Sequence, residues 1–124
     1  MKYFAMLGAG LIMLVVGALH LLAPQMMMNE PGIELTTINH VHIIRAAYGG
    51  AFLGIASLFL LGVVKPDFTR FSLVAIVILF SGFALGRIIS IAVDGWPVNR
   101  YLYVLSVEVF FAVMAMLSLR KSKT

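Results

Sequence analysis

Three ionisable side chains interrupt otherwise apolar stretches of this sequence: Arg45, Arg87 and Glu108. A charge at the centre of a bilayer costs ~2.5–3.5 kcal/mol on insertion scales, so such groups turn inward and pair. A guanidinium presents a planar fork of donors that grips a carboxylate or phosphate through parallel hydrogen bonds. One carboxylate cannot neutralise two guanidiniums. With Glu108 paired to Arg87 or Arg45, either Asp94 takes the second cation or the site keeps net positive charge. Such a site suits a carboxylate, a phosphate or a lipid headgroup. The alternative is an internal salt-bridge network that holds helix register and binds nothing.

Helical spacing groups further side chains with these three. Positions seven apart on an α-helix nearly coincide in angle. His42 and Gly49 then share a face with Arg45 beside them, Arg87 shares one with Asp94 and has Ser90 adjacent, and Tyr101 shares one with Glu108 and Ala115. Convergence of the three faces would make one polar pocket. In it Arg45 and Arg87 contact an anion, Glu108 orients them, Tyr101, Tyr48 or Ser90 adds hydrogen bonds, and His42 and Asp94 complete the wall. No catalytic residue is assigned. The sequence holds no Ser-His-Asp arrangement, phosphate loop, zinc-protease motif or dinucleotide fingerprint. His40 and His42 point about 200° apart on a helix. His20 and His42 could approach each other, but two histidines without a carboxylate motif do not specify a metal or haem, and no cofactor is expected.

The elements that must position these groups are long apolar runs. Of 124 residues, 62% are hydrophobic and 11% charged, too apolar for a soluble domain of this size to hide. Four runs cover about 3–22, 41–64, 71–93 and 98–119, each near the ~20 residues that span a bilayer core. Continuous runs of this length favour helices over barrel strands, and a helix satisfies its own backbone in lipid. The expectation is one all-α domain over 1–124, an integral membrane four-helix bundle whose short connections make neighbours antiparallel. The first run exceeds a signal-peptide core and lacks a small-x-small cleavage pattern, so it is expected to be retained. Gly50 with Gly54, and Gly82 with Gly86 and Ser90, are candidate helix contacts, while the glycines at 8, 10 and 17 serve packing.

Charge sets the orientation. Lys2, Lys65, Arg70 and the Arg120-Lys121-x-Lys123 tail fall on one side of an even-helix bundle, against Glu30, Glu34, Asp94 and Arg100 on the other. The positive-inside rule places both termini in the cytoplasm, and the formal charge of +4 reflects topology rather than nucleic-acid binding. At about 1.5 Å per residue, Arg45 then lies roughly 6 Å below the outer end of its span, Arg87 roughly 10 Å below Asp94, and Glu108 roughly 15 Å into the last span. The pocket would open outward. There are no cysteines, which excludes disulfides, thiolate metal sites and dithiol relays.

His42-Ile43-Ile44-Arg45, Tyr48-Gly49-Gly50 with Gly54, Gly86-Arg87-Ile88-Ile89-Ser90 leading to Asp94-Gly95-Trp96-Pro97, and Glu108 together resemble the pattern of the family called domain of unknown function 4345. The similarity covers nearly the whole chain. The resemblance implies a small, four-helix membrane protein, mostly bacterial and so of the cytoplasmic (inner) membrane, and no established reaction. Many members carry an acidic residue or asparagine near the position of His42, so the histidine makes the local balance less negative. The leading expectation is a binding or accessory protein that holds a small anionic or amphipathic ligand, with membrane lipids around it. The alternatives are a transporter acting as a homodimer with Glu108 carrying a proton, an enzyme on a membrane-dissolved substrate, or a structural subunit of a larger membrane complex.

Overall fold

The computed structural model describes residues 1–121 and is helical nearly throughout. Lys123 of the basic tail lies outside the described residues. The elements are α1 (Lys2–Leu22), α2 (Pro24–Asn29), α3 (Ile38–Ile44), a π-helical turn (Arg45–Gly50), α4 (Ala51–Val64), a 3₁₀ turn (Pro66–Phe68), α5 (Thr69–Asp94) and α6 (Asn99–Lys121). Four helical stretches are long and apolar enough to cross a membrane: Lys2–Leu22, Ile38–Val64, Pro66–Asp94 and Asn99–Lys121. Most of their apolar surface faces out; only 17% of the apolar window in the third stretch is buried. Water would not tolerate that much exposed hydrocarbon on a folded monomer, and lipid would.

Local chemistry sets the ends. Pro24 forces Ala23 out of the helical region (φ −134°, ψ 62°), which closes α1, and itself sits in the first turn of α2. The connection between the first two apolar runs thus holds a short helix. Gln25 pins the chain between α2 and α3: its amide donates to Asn29 Oδ1 at 2.7 Å, and its carbonyl accepts from the Leu35 N–H at 3.0 Å. Thr37 caps α3 by accepting from the His40 N–H at 3.2 Å. Lys65 is extended ahead of Pro66, and Gly95, at φ 99°, closes α5 in a conformation glycine adopts without strain.

The spans form a closed ring in which α1 packs on α4 and the π turn, α4 on α5, α5 on α6, and α6 on α1. The core combines small residues of α1 (Ala5, Ala9) with Met6, Phe59, Leu73, Ile76, Phe80 and Phe111. Two hydroxyls tie α4 to α5: Ser72 donates to Leu58 O at 2.7 Å, and Thr69 donates to Gly62 O at 2.9 Å.

Glycines let the backbone of α1 come close to the π turn and the start of α4. A Cβ on Gly17 would lie 2.9 Å from the Leu53 nitrogen, and one on Gly49 would lie 3.0 Å from Leu21 Cα. The glycines at 8 and 10 also abut neighbours, Phe111 and Leu60. The expected contacts at Gly50, Gly54, Gly82 and Gly86 are not made among the described residues. A Cβ on Gly54, Gly82 or Gly86 would meet nothing within 4 Å, and one on Gly50 only the Arg45 carbonyl at 3.7 Å. The π turn is the reason for the first pair. Its i→i+5 bond from the Ala51 N–H to Ala46 O fits one more residue into the turn, so Gly49 faces α1 and Gly50 does not.

Candidate functional site

Glu108 is buried, 5% exposed, on the face of α6 that meets α5. Arg87 reaches it from α5. Its Nε–H is shared between both carboxylate oxygens, at 3.0 Å to Oε1 and 2.9 Å to Oε2. The guanidinium carbon lies 5.9 Å from the centre of the Tyr101 ring, within range of a cation–π attraction. Tyr101 and Glu108 are seven apart on α6, so one face of that helix supplies both the carboxylate and the aromatic shelf. The link after Gly95 is short, so the last turns of α5 stay beside the first turns of α6.

The geometry of this pair leaves capacity unused. A guanidinium has five N–H donors. Only Nε–H is engaged, and the two terminal amines have no partner among the described residues. No buried side-chain nitrogen or oxygen lacks a partner there either, so those amines are accessible rather than sealed in. Arg87 lines a cleft of about 250 Å³ with Ser90, Ile91, Gly95, Pro97 and Tyr101. Ser90 donates to Asp94 Oδ2 at 3.0 Å, a bond that holds the Asp94 carboxylate against its own helix.

Residues 1–119 match the family described as a domain of unknown function (DUF4345). The chain belongs to this family. Neither a curated protein nor a solved structure matches it.

In this DUF4345 chain the eight candidate residues divide into two groups. Arg87, Glu108, Tyr101 and Ser90 come together, with Asp94 held by Ser90. Arg45, His42 and Tyr48 stand apart. Arg45 and His42 are exposed, and the Arg45 side chain has no hydrogen bond or ion pair among the described residues. Glu108 therefore chooses Arg87 of the two arginines. The seven-residue coincidence of His42 with Gly49 assumes an unbroken α-helix, and the π turn beginning at Arg45 breaks it. Tyr48 instead stacks on His20, ring centres 5.6 Å apart, with Phe52 edge-on to both. His20 does not meet His42; its Nδ1–H donates to Val16 O at 2.7 Å.

Gly95 and Pro97 belong to the cleft as wall, whereas Asp-Gly-Trp-Pro signals only a turn in the sequence. Arg100 pairs with Glu30, joining the start of α6 to the segment after α2. Both charges are legible in the sequence, but no local spacing links residues seventy apart. Among the described residues, no three His, Asp or Glu side chains gather as a metal site would need.

Proposed function

We propose that this is a multi-pass membrane protein of the binding or accessory kind that holds a small anionic or amphipathic molecule against Arg87. The observation that carries the reading is the side-on pair: Glu108 takes Nε–H alone and leaves the terminal amines of Arg87 accessible in a cleft of about 250 Å³. Those amines form the fork that accepts a carboxylate or phosphate bidentately. Glu108 orients the guanidinium, Tyr101 backs it, and the Ser90 hydroxyl oxygen lies in the same wall. Because Glu108 balances the charge of Arg87, an anion entering the cleft meets a directed donor array rather than a bare cation.

The spans run antiparallel to their neighbours. Support comes from α1 and α4, where Gly10 lies against Leu60 and Gly17 against Leu53, so numbers rise along one helix as they fall along the other. The positive-inside rule then puts the Lys2, Arg70 and Lys121 end in the cytoplasm and opens the Arg87 cleft to the outer side of a bacterial inner membrane.

The test is native mass spectrometry of the full chain released from membranes in mild detergent. A bound acidic or phosphate-bearing mass is expected on the unmodified protein and absent from Arg87→Gln. An identical set of bound masses on the two proteins, or no ligand on either, overturns the reading.

A further inference from the structure

The end of the bundle opposite the Arg87 cleft carries a second, larger cleft of about 450 Å³. It lies where the start of α1, the 3₁₀ turn, the start of α5 and the end of α6 meet, and its polar wall is Lys2, Asp67, Thr69, Arg70, Ser118 and Lys121. We propose that this cleft binds the phosphate of an anionic phospholipid from the adjacent leaflet. The proposal shares the membrane-spanning reading and does not depend on the Arg87 cleft.

Charge is the first argument. Three cations face one carboxylate in the wall. Two long helices, α1 and α5, begin there, so the positive ends of two backbone dipoles add to the side-chain charge; the end of α6 offsets one of them. Arg70 forms no ion pair among the described residues.

Hydrogen-bonding capacity is the second. The two hydroxyls in the wall have already committed their protons, Thr69 to Gly62 O at 2.9 Å and Ser118 to Met114 O at 2.8 Å. Arg70 and Lys2 are therefore the donors that reach an anion. Such a wall selects for negative charge and gives a zwitterionic headgroup little advantage.

Placement is the third, and it separates a lipid from a soluble phosphate. Immediately along the spans from the cleft stand exposed apolar side chains: Tyr3 (47% exposed), Phe4 (56%), Phe71 (55%) and Leu117 (42%). A phosphate seated at Arg70 can therefore lay its acyl chains along hydrocarbon-facing helix surface. Basic pockets between membrane helices on the cytoplasmic side are a recurrent way of holding anionic headgroups.

The experiment titrates the detergent-purified full chain with phosphatidylglycerol and reads bound lipid by native mass spectrometry. One retained phosphatidylglycerol is expected, with phosphatidylcholine retained less. Arg70→Gln should weaken retention about fivefold, the effect of one cation near an anionic headgroup. Lys2→Gln combined with Arg70→Gln should weaken it further. Arg120→Gln removes the same charge from the same end but does not line the cleft, and should change retention by less than about twofold. Arg70→Lys keeps the charge, must retain the lipid, and guards against a loss caused by misfolding. Equal weakening by Arg120→Gln and Arg70→Gln overturns the proposal, because diffuse charge would then explain the binding. So does equal retention of phosphatidylcholine, or displacement of the lipid by inorganic phosphate at matched concentration. Arg70→Gln should lose phosphatidylglycerol while keeping any mass that Arg87→Gln removes, so the two clefts fail separately.

Discussion

Arg45 and Arg87 are the same residue type, each inside an apolar span, and they end in opposite circumstances. Arg87 is one-third exposed, shares its Nε–H with a buried carboxylate and rests over a tyrosine ring. Arg45 is exposed and opens a π-helical turn without an ionic partner among the described residues. The difference lies in what each helix packs against. On α5, Arg87 faces α6, which supplies an acid at the matching height. The span of Arg45 commits its close-packing face to α1, through Gly49 against Leu21, and α1 carries no acid. A charge in a membrane helix is thus placed by the backbone contact nearest to it.

Breaking the pair on the Arg87 side should have the greatest consequence. Glu108→Ala leaves a half-buried guanidinium without its carboxylate. Removing one partner of a fully buried pair costs about 3–5 kcal/mol, and exposure of Arg87 reduces that to about 2–4 kcal/mol here. Thermal unfolding in detergent should show the loss, and Arg87→Met in the same background should restore part of it by removing the orphaned charge. A Glu108→Ala protein as stable as the original would mean that the pair does not hold α5 to α6.

Much of this contrast is legible in the residues alone, and the rest is hidden for physical reasons. The four spans follow from apolar runs long enough to cross a bilayer. The Arg87–Glu108 pair follows from the cost of burying either charge alone, and Tyr101 from its place seven residues before Glu108. The separation of Arg45 from that site cannot be had from spacing, because the Gly49-Gly50 pair weakens the helix without specifying an i→i+5 turn. The glycines mislead for a related reason. A small-xxx-small pattern shows that a backbone can be approached and is silent about whether a partner is there. Gly17, expected to serve packing, and Gly49, outside the expected pairs, make the approach, while Gly54, Gly82 and Gly86 face open space.

Next in size is the backbone contact on the Arg45 side. Gly49→Ala puts a methyl 3.0 Å from the Leu21 backbone, which cannot swing aside as a flexible side chain would. Overpacking of this kind costs about 1–3 kcal/mol. Gly54→Ala is the matched control: its methyl meets nothing, and helix propensity alone favours alanine by up to about 1 kcal/mol. Unfolding temperatures of the two variants should move in opposite directions. If they fall together, the α1 contact is not what fixes the orientation of this span.

A smaller effect tests the aromatic shelf. Tyr101→Leu removes the ring under Arg87 and keeps apolar bulk. The cation–π contribution at a partly exposed site is about 0.5–1 kcal/mol, so stability should fall by that amount. Ligand retention by Arg87 should fall with it, because the guanidinium loses one of the two surfaces that fix its plane. Loss of stability with unchanged retention would assign Tyr101 to packing alone.

The smallest effect belongs to Arg45 itself. Arg45→Gln removes an exposed cation with no side-chain hydrogen bond or ion pair among the described residues, and near the outer end of its span, where the long stem carries the charge to the headgroups, the change should stay within about 0.5 kcal/mol. The same substitution at Arg87 strands the Glu108 carboxylate, which is the more buried member of its pair. The two Arg→Gln variants therefore remove the same group and differ in exposure and in what the neighbouring helix offers. Measured side by side, they should separate by roughly 2 kcal/mol or more, the cost of an orphaned buried charge against none. If Arg45→Gln proved as damaging as Arg87→Gln, Arg45 would have a partner in the membrane outside this chain, and its exposed position at the π turn would mark where that partner sits.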